Sequence, residues 1–234
     1  MKLDQTIRQQ IDNLNKVALR DEFVRQNEFL VIDDFLPTPI LDLLLGKLPK
    51  LETCINRNFI PGHKKGGSIS RYDLDRLAPE FGELYRSASF NSLVVETAGR
   101  PLVHCPADDP HTYALYYYTK PGDHIGFHYD TCYYRGSRYT VLLGLVDRSS
   151  SKLEYRLQGT NETATISLAP GRLVLFNGDK LHHRITPLGI DEVRIALTFE
   201  YLTDASIAPW SRMFSNLKDA FAYFGLRQVF GRRH

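Results

Sequence analysis

From His111 to Leu202 the chain is a succession of eight short runs rich in aromatic and β-branched residues, and this most narrows what it can fold into. The runs are TYALYYYT, HIGFHYD, YTVLLGLVD, KLEYRL, ATISLA, RLVLFNG, HHRITP and EVRIALTFEYL. Between them stand Pro121-Gly122, Gly136-Ser137, Gly159, Pro170-Gly171, Asn177-Gly178 and Gly189, residues that preset or permit the angles of tight turns. Short strands at this spacing predict an all-β sandwich or barrel.

Helical spacing dominates before His111. Leu3, Ile7, Ile11, Leu14 and Ala18 predict one amphipathic N-terminal helix. A short strand, FLVIDDF from Phe29, leads through Pro37 into a second apolar-striped helix around ILDLLLGKL. A third helical run is expected between Pro79 and Glu96, with Phe81, Leu84, Tyr85 and Leu93 in register. These helices are expected to buttress one sheet face. The segment NRNFIPGHKKGGSISRYD, residues 56–73, is a candidate lid, because its glycines and lysines suit a mobile loop. After the last strand, Pro209 is placed to start a helix carrying Trp210, Met213, Phe214, Leu217, Phe221 and Phe224, with Gly225 ending it. Packing on the barrel is the expected use of that stripe, and a homodimer interface is the alternative. The expected organisation is a single domain over 1–234: helical support and lid region over 1–110, β core over 111–203, C-terminal helix over 204–234.

Composition excludes several function classes. With 234 residues, 43% of them hydrophobic, the chain is long and apolar enough for a sizeable core. The 29 basic and 27 acidic residues nearly balance, and apart from Arg232-Arg233 the basic ones are scattered, which argues against a nucleic-acid footprint. Cys54, Cys105 and Cys132 form no close pair, as expected in a reducing compartment. The N-terminal segment is polar on one face, unlike a secretory signal, and no apolar run approaches the length of a bilayer span, so a cytoplasmic location and no membrane partner are expected.

The chemistry starts at His128-Tyr129-Asp130. A histidine and a carboxylate two residues apart point to the same side of an extended chain, where they can grip one metal ion. A third ligand is available in the seventh run, where His182 and His183 face opposite sides of a strand, so one of them points inward. Two histidines and one carboxylate on one face of a metal, with the remaining positions open, is the arrangement of a non-haem Fe(II) oxygenase.

The run HYD, the distal LHHRITP and then EVRIALTFEY together resemble the H-x-D…H…R signature of the Fe(II)- and 2-oxoglutarate-dependent dioxygenases, the branch that includes prolyl hydroxylases. The resemblance covers roughly Tyr113 to Leu202. It implies a double-stranded β-helix, or jelly roll, with helices on its outer sheet. It implies that His128, Asp130 and His183 hold Fe(II), the sequence H-R-I-T-P selecting His183 over His182. It assigns Arg194 to the distal carboxylate of 2-oxoglutarate, a task suited to a planar, permanently charged guanidinium. Relatives often carry Ser or Thr two residues after that arginine. Here Ala196 stands there, so Tyr118 or Thr140 is expected to supply the second hydrogen bond. The implied reaction consumes O2 and 2-oxoglutarate, releases succinate and CO2, and hydroxylates a C–H bond. The presence of Asp130 disfavours halogenation.

For the substrate, HYDTCYYRGSRYTVLLGLVD is similar to free amino-acid hydroxylases related to lysine halogenases, which implies a small amino acid or amine. Tyr133, Tyr134, Arg135 and His124 are the candidate substrate residues, against rim packing for the tyrosines and plain exposure for His124. Asp123 is a candidate partner for an amine, and Cys132 reads as a buried, inert thiol. The alternatives are a peptidyl prolyl or lysyl hydroxylase and, from another class, a non-catalytic jelly-roll binding module.

Overall fold

In the computed structural model, which describes residues 3–130, 133–157 and 162–206, the N-terminal apolar stripe forms two helices, α1 (Leu3–Asp12) and α2 (Lys16–Arg25). Asn15 makes the break, because its side chain accepts the Ala18 amide at 3.1 Å and caps α2. Strand β1 (Phe29–Ile32) follows, then α3 (Thr38–Leu45), the single turn α4 (Leu48–Leu51), and the strands β2 (Asn56–Ile60) and β3 (Lys64–Ser70). Next come α5 (Arg71–Leu77), α6 (Glu80–Tyr85) and α7 (Ala88–Ala98). The run expected as one helix between Pro79 and Glu96 is thus two, divided at Ser87, whose hydroxyl accepts the Phe90 amide at 3.2 Å. Ser87 also donates to Asp4 at 2.6 Å, which ties α7 to α1.

The remaining strands are β4 (Val103–His104), β5 (Tyr113–Tyr118), β6 (His124–His128), β7 (Arg138–Arg148), β8 (Leu153–Arg156), β9 (Ala164–Ile166), β10 (Leu173–Asn177), β11 (His182–Ile185) and β12 (Val193–Leu202). Each of the eight runs read from the sequence is a strand, β5 to β12. They pair antiparallel in the order β1-β10-β7-β12-β5-β3-β6-β11-β8-β9, with β2 beside β3 and β4 beside β12. Residues of β5, β7, β10 and β12 line the same pocket as residues of β6, β8 and β11, so the sheet folds over on itself as a jelly roll.

Residues 56–73, where the sequence suggests a loop, form the β2–β3 hairpin and the start of α5. Strand β3 pairs with β5 through Gly67 opposite Tyr117 and with β6 through Lys64 opposite Ile125, so it joins the two halves of the roll. Gly67, one of the glycines that suggest a loop, serves close packing: a Cβ there would lie 2.5 Å from the Ile55 methyl. Lys64 is buried, its ammonium 5.2 Å from the centre of the Tyr116 ring. The region 1–110 therefore adds β1 and β3 to the core sheet as well as the helices.

Alternation along the strands separates two cores. Tyr113, Leu115, Tyr117, Leu143, Leu197 and Phe199 point outward and pack with the helices. Tyr118, Ile125, Leu153, Phe176, Ile185 and Ala196 point inward and form the walls around the site. The helical stripe expected from Pro209 lies outside the described residues, as does Cys132. No helix among the described residues is long and apolar enough to cross a membrane.

Candidate metal centre and co-substrate pocket

His128 ends β6, and Asp130 follows just beyond the strand. His183 lies directly opposite His128 in the β6–β11 pair. Their ligand atoms and one Asp130 oxygen all lie within 4.8 Å of one another. Asp130 Oδ1 is 3.6 Å from His128 Nε2 and 3.8 Å from His183 Nε2.

The backbone decides which ring nitrogens face the centre. His128 Nδ1 is 2.8 Å from the Gly126 carbonyl, and His183 Nδ1 is 3.0 Å from the Leu181 carbonyl. A carbonyl only accepts, so both Nδ1 atoms carry the proton and both Nε2 lone pairs are left for a metal. Burial pushes the His183 imidazole down to about 4, which keeps it neutral and ready to coordinate. For Asp130, burial alone would raise the carboxyl, but His183, His128 and Thr140 outweigh it and hold the group below the usual carboxylate range. Thr140 donates to Asp130 Oδ2 at 2.6 Å and the Asp130 amide donates to Gly178 O at 3.1 Å, fixing the carboxylate from two sides. Residue 178 has to be small, because a Cβ there would lie 2.7 Å from Asp130 Cβ.

Arg194 stands further in. It lies opposite Tyr118 across β12 and β5, is 1% exposed, and lines the same pocket as the histidine and aspartate cluster. Its Nε and Nη1 have no hydrogen-bond partner. Burying these donors without an acceptor costs on the order of 1–3 kcal/mol apiece. An anion bound in the pocket relieves that cost. The surface ion pair with Asp191 or Glu192 that a lone arginine suggests does not form; Glu192 accepts the Ser150 and Gly189 amides instead.

Of the other expected residues, Tyr118 and Thr140 line the pocket, as does Ala196. His124 does not. Strict alternation from His128 would turn it inward, but the β6–β11 register is irregular: the two-residue step on β11 from His183 to Ile185 is matched by a three-residue step on β6 from His128 to Ile125. Ile125 therefore takes the inward place, and His124 Nδ1 donates to the Gly122 carbonyl at 2.8 Å. Tyr134 is buried in a separate small cluster, its hydroxyl donating to Asp109 at 2.7 Å, while Arg135 is exposed and Tyr133 half-buried outside the lining. Asp123 departs from its reading as a candidate partner for a substrate amine. It is fully buried and accepts both Arg57 Nη atoms, at 2.9 and 2.6 Å, and the Thr119 and Lys120 amides.

The sequence reading missed Glu200, Thr198 and Tyr116 in the lining. The signal was present: counting by two from Arg194 along one strand face gives Ala196, Thr198 and Glu200.

No family model matches the chain, and no curated protein sequence does. Solved structures match in fold. The epimerase SnoN in complex with Fe3+, α-ketoglutarate and nogalamycin RO superposes with a TM-score of 0.67 at 14% identity, covering 86% of this chain and 89% of that one. A prolyl hydroxylase from Trichoplax adhaerens, in complex with a hypoxia inducible factor peptide fragment, gives 0.67 at 16% identity over 90% and 94%. A prolyl-4-hydroxylase from Pseudomonas putida gives 0.62 at 16% identity over 80% and 97%. The chain has the fold of the 2-oxoglutarate- and Fe(II)-dependent oxygenases, and holds inside it a His-Asp-His cluster of the kind that binds iron.

Proposed function

We propose that the protein is a 2-oxoglutarate- and Fe(II)-dependent oxygenase that hydroxylates an unactivated C–H bond of a small substrate, a free amino acid or an amine. One observation carries the reading: the same pocket contains the His128, Asp130 and His183 cluster and a buried Arg194 guanidinium with two nitrogens lacking a partner. Either feature alone has other uses. Together they would suit a metal held by His128, Asp130 and His183 and a dicarboxylate held by Arg194.

The residues fit those groups. Two imidazole nitrogens and a carboxylate suit Fe(II) and leave its other positions open. When bound, iron and 2-oxoglutarate supply the oxidising power with O2, releasing succinate and CO2. The protein's own part is to hold and to exclude. The Gly126 and Leu181 carbonyls leave both Nε2 atoms available where a metal would bind, and Thr140 holds Asp130 through Oδ2. Arg194 would hold a carboxylate of 2-oxoglutarate in charge-assisted hydrogen bonds. Ile125, Leu142, Leu153, Leu168, Phe176 and Ile185 make the walls apolar and keep water out.

Anaerobic titration with Fe(II) and 2-oxoglutarate tests this. The visible charge-transfer band of the chelate is expected in the wild type and is expected to weaken in Arg194→Ala. Absence of the band in the wild type overturns the reading. Succinate release in the presence of free amino acids or of proline- and lysine-containing peptides then separates a small-molecule oxygenase from a peptidyl hydroxylase.

A further inference from the structure

Asn177-Gly178, read from the sequence as a turn, joins β10 to β11, and the backbone of that turn reaches two of the three clustered side chains. The Gly178 carbonyl accepts the Asp130 amide at 3.1 Å, and the Leu181 carbonyl accepts His183 Nδ1–H at 3.0 Å. His128 differs, because its carbonyl partner, Gly126, lies on its own strand. The path of residues 178–181 therefore sets where Asp130 and His183 stand relative to His128.

The Asn177 side chain fixes that path. It is buried and uses both of its ends. Oδ1 accepts the Asp179 amide at 3.0 Å, which closes an Asx turn, and the Asn177 backbone carbonyl accepts the Lys180 and Leu181 amides, both at 3.1 Å. Nδ2 donates at 2.6 Å to the carboxylate of Glu28, 149 positions away in the chain. A carboxylate only accepts and a backbone amide only donates, so one orientation of the Asn177 amide satisfies both partners. Glu28 is itself held by Tyr139, Lys180 and Arg100.

We propose that Asn177 is a positioning residue for the metal centre: by tying the β10–β11 turn to Glu28, it holds Asp130 and His183 at the spacing a metal requires. This rests on the oxygenase reading above. A purely structural Asn177 would instead contribute to stability alone and leave metal affinity untouched.

The test titrates the full chain anaerobically with Fe(II) against a competing chelator, and with Co(II), whose visible absorption reports the geometry of its ligands. Wild type, Asn177→Ala, Asn177→Ser and Ser87→Ala are compared. Ser87→Ala removes a helix cap outside the pocket lining and controls for lost stability, read from urea midpoints. Asn177→Ala is expected to bind Fe(II) about tenfold or more weakly, the scale of losing a group that orients a ligand, and to alter the Co(II) spectrum. Asn177→Ser keeps a hydroxyl able to accept the Asp179 amide but lacks the donor to Glu28, and is expected to fall between. Ser87→Ala is expected to keep the wild-type affinity and spectrum. If Asn177→Ala binds Fe(II) as the wild type does, or Ser87→Ala weakens binding as much, the assignment is overturned and the oxygenase reading stands. If the wild type binds no Fe(II), both fall. Should Asn177→Ala fail to fold, Asn177→Ser decides, and wild-type affinity in that variant overturns the assignment.

Discussion

His183 on β11 and His128 on β6 are register partners across one antiparallel pair, with ring centroids 4.3 Å apart. The sheet ladder itself therefore brings together two histidines that are 55 positions apart in the chain. Strands buried on their inner face resist slippage, because a shift by one residue would turn the apolar set to the wrong side. The site is as rigid as the ladder that carries it, and the sensitive points are the groups that orient the ligands.

Thr140 is the first of these. Thr140→Val removes the donor at 2.6 Å from Asp130 Oδ2 and frees the carboxylate to rotate. Fe(II) affinity is expected to fall about 10- to 100-fold, measured anaerobically against a competing chelator. Unchanged affinity would mean that the Asp130 backbone alone fixes the ligand.

Tyr118 lies opposite Arg194, and burial pushes its phenol up to about 12, so at neutral pH it keeps its proton and can donate. Tyr118→Phe is expected to raise the Kd for 2-oxoglutarate about tenfold, the scale of one hydrogen bond to a charged group. Titration of the Mn(II)-loaded protein reads this directly. An unaltered Kd assigns the second contact to another group.

Asp123 closes the turn before β6 through its four donors. Asp123→Asn keeps the shape and removes the charge opposite Arg57. A loss of about 3 kcal/mol of unfolding free energy is expected, seen as a lower urea midpoint with an unchanged slope. A variant as stable as the wild type would show that the two amides suffice.

Glu28 links β1 to the end of β10. Its carboxylate accepts from Tyr139 at 2.8 Å and Asn177 at 2.6 Å and pairs with Lys180 and Arg100, both at 3.1 Å. Burial alone would raise this carboxyl, but the Asn177, Tyr139 and Lys180 contacts bring it below its ordinary 4.5. A depressed folded value means the stabilisation is fully present above about pH 4.5 and is lost as pH falls through the folded value. Glu28→Gln is expected to cost about 1–3 kcal/mol at pH 7, with the gap to the wild type narrowing toward pH 3. Denaturant curves at several pH values check it; a constant gap excludes the charge as the cause.

The strands and the spacing of His128 and Asp130 were legible in the sequence because each depends on a local regularity, whereas His183 and Arg194 were singled out by the family resemblance. Alternation of period two and punctuation by Pro and Gly marked β5 to β12, and the H-x-D spacing put His128 and Asp130 together without reference to any other strand. Helix caps blurred the finer grain: Asn15 and Ser87 each divide an apolar stripe that continues across the break. What only the tertiary structure decided depends on which strand lies beside which. The bulge against β11 turned His124 out and Ile125 in, and β3 entered the sheet although its glycines and lysines read as loop. Asp123 became an internal brace for Arg57, and Glu200 arrived beside Thr140 and Asp130, sixty and seventy positions away in the chain. Periodicity is a property of one segment and can be read from it. Register and burial are properties of pairs of segments, set when the roll closes and every inward side chain must find room against a neighbour remote in sequence.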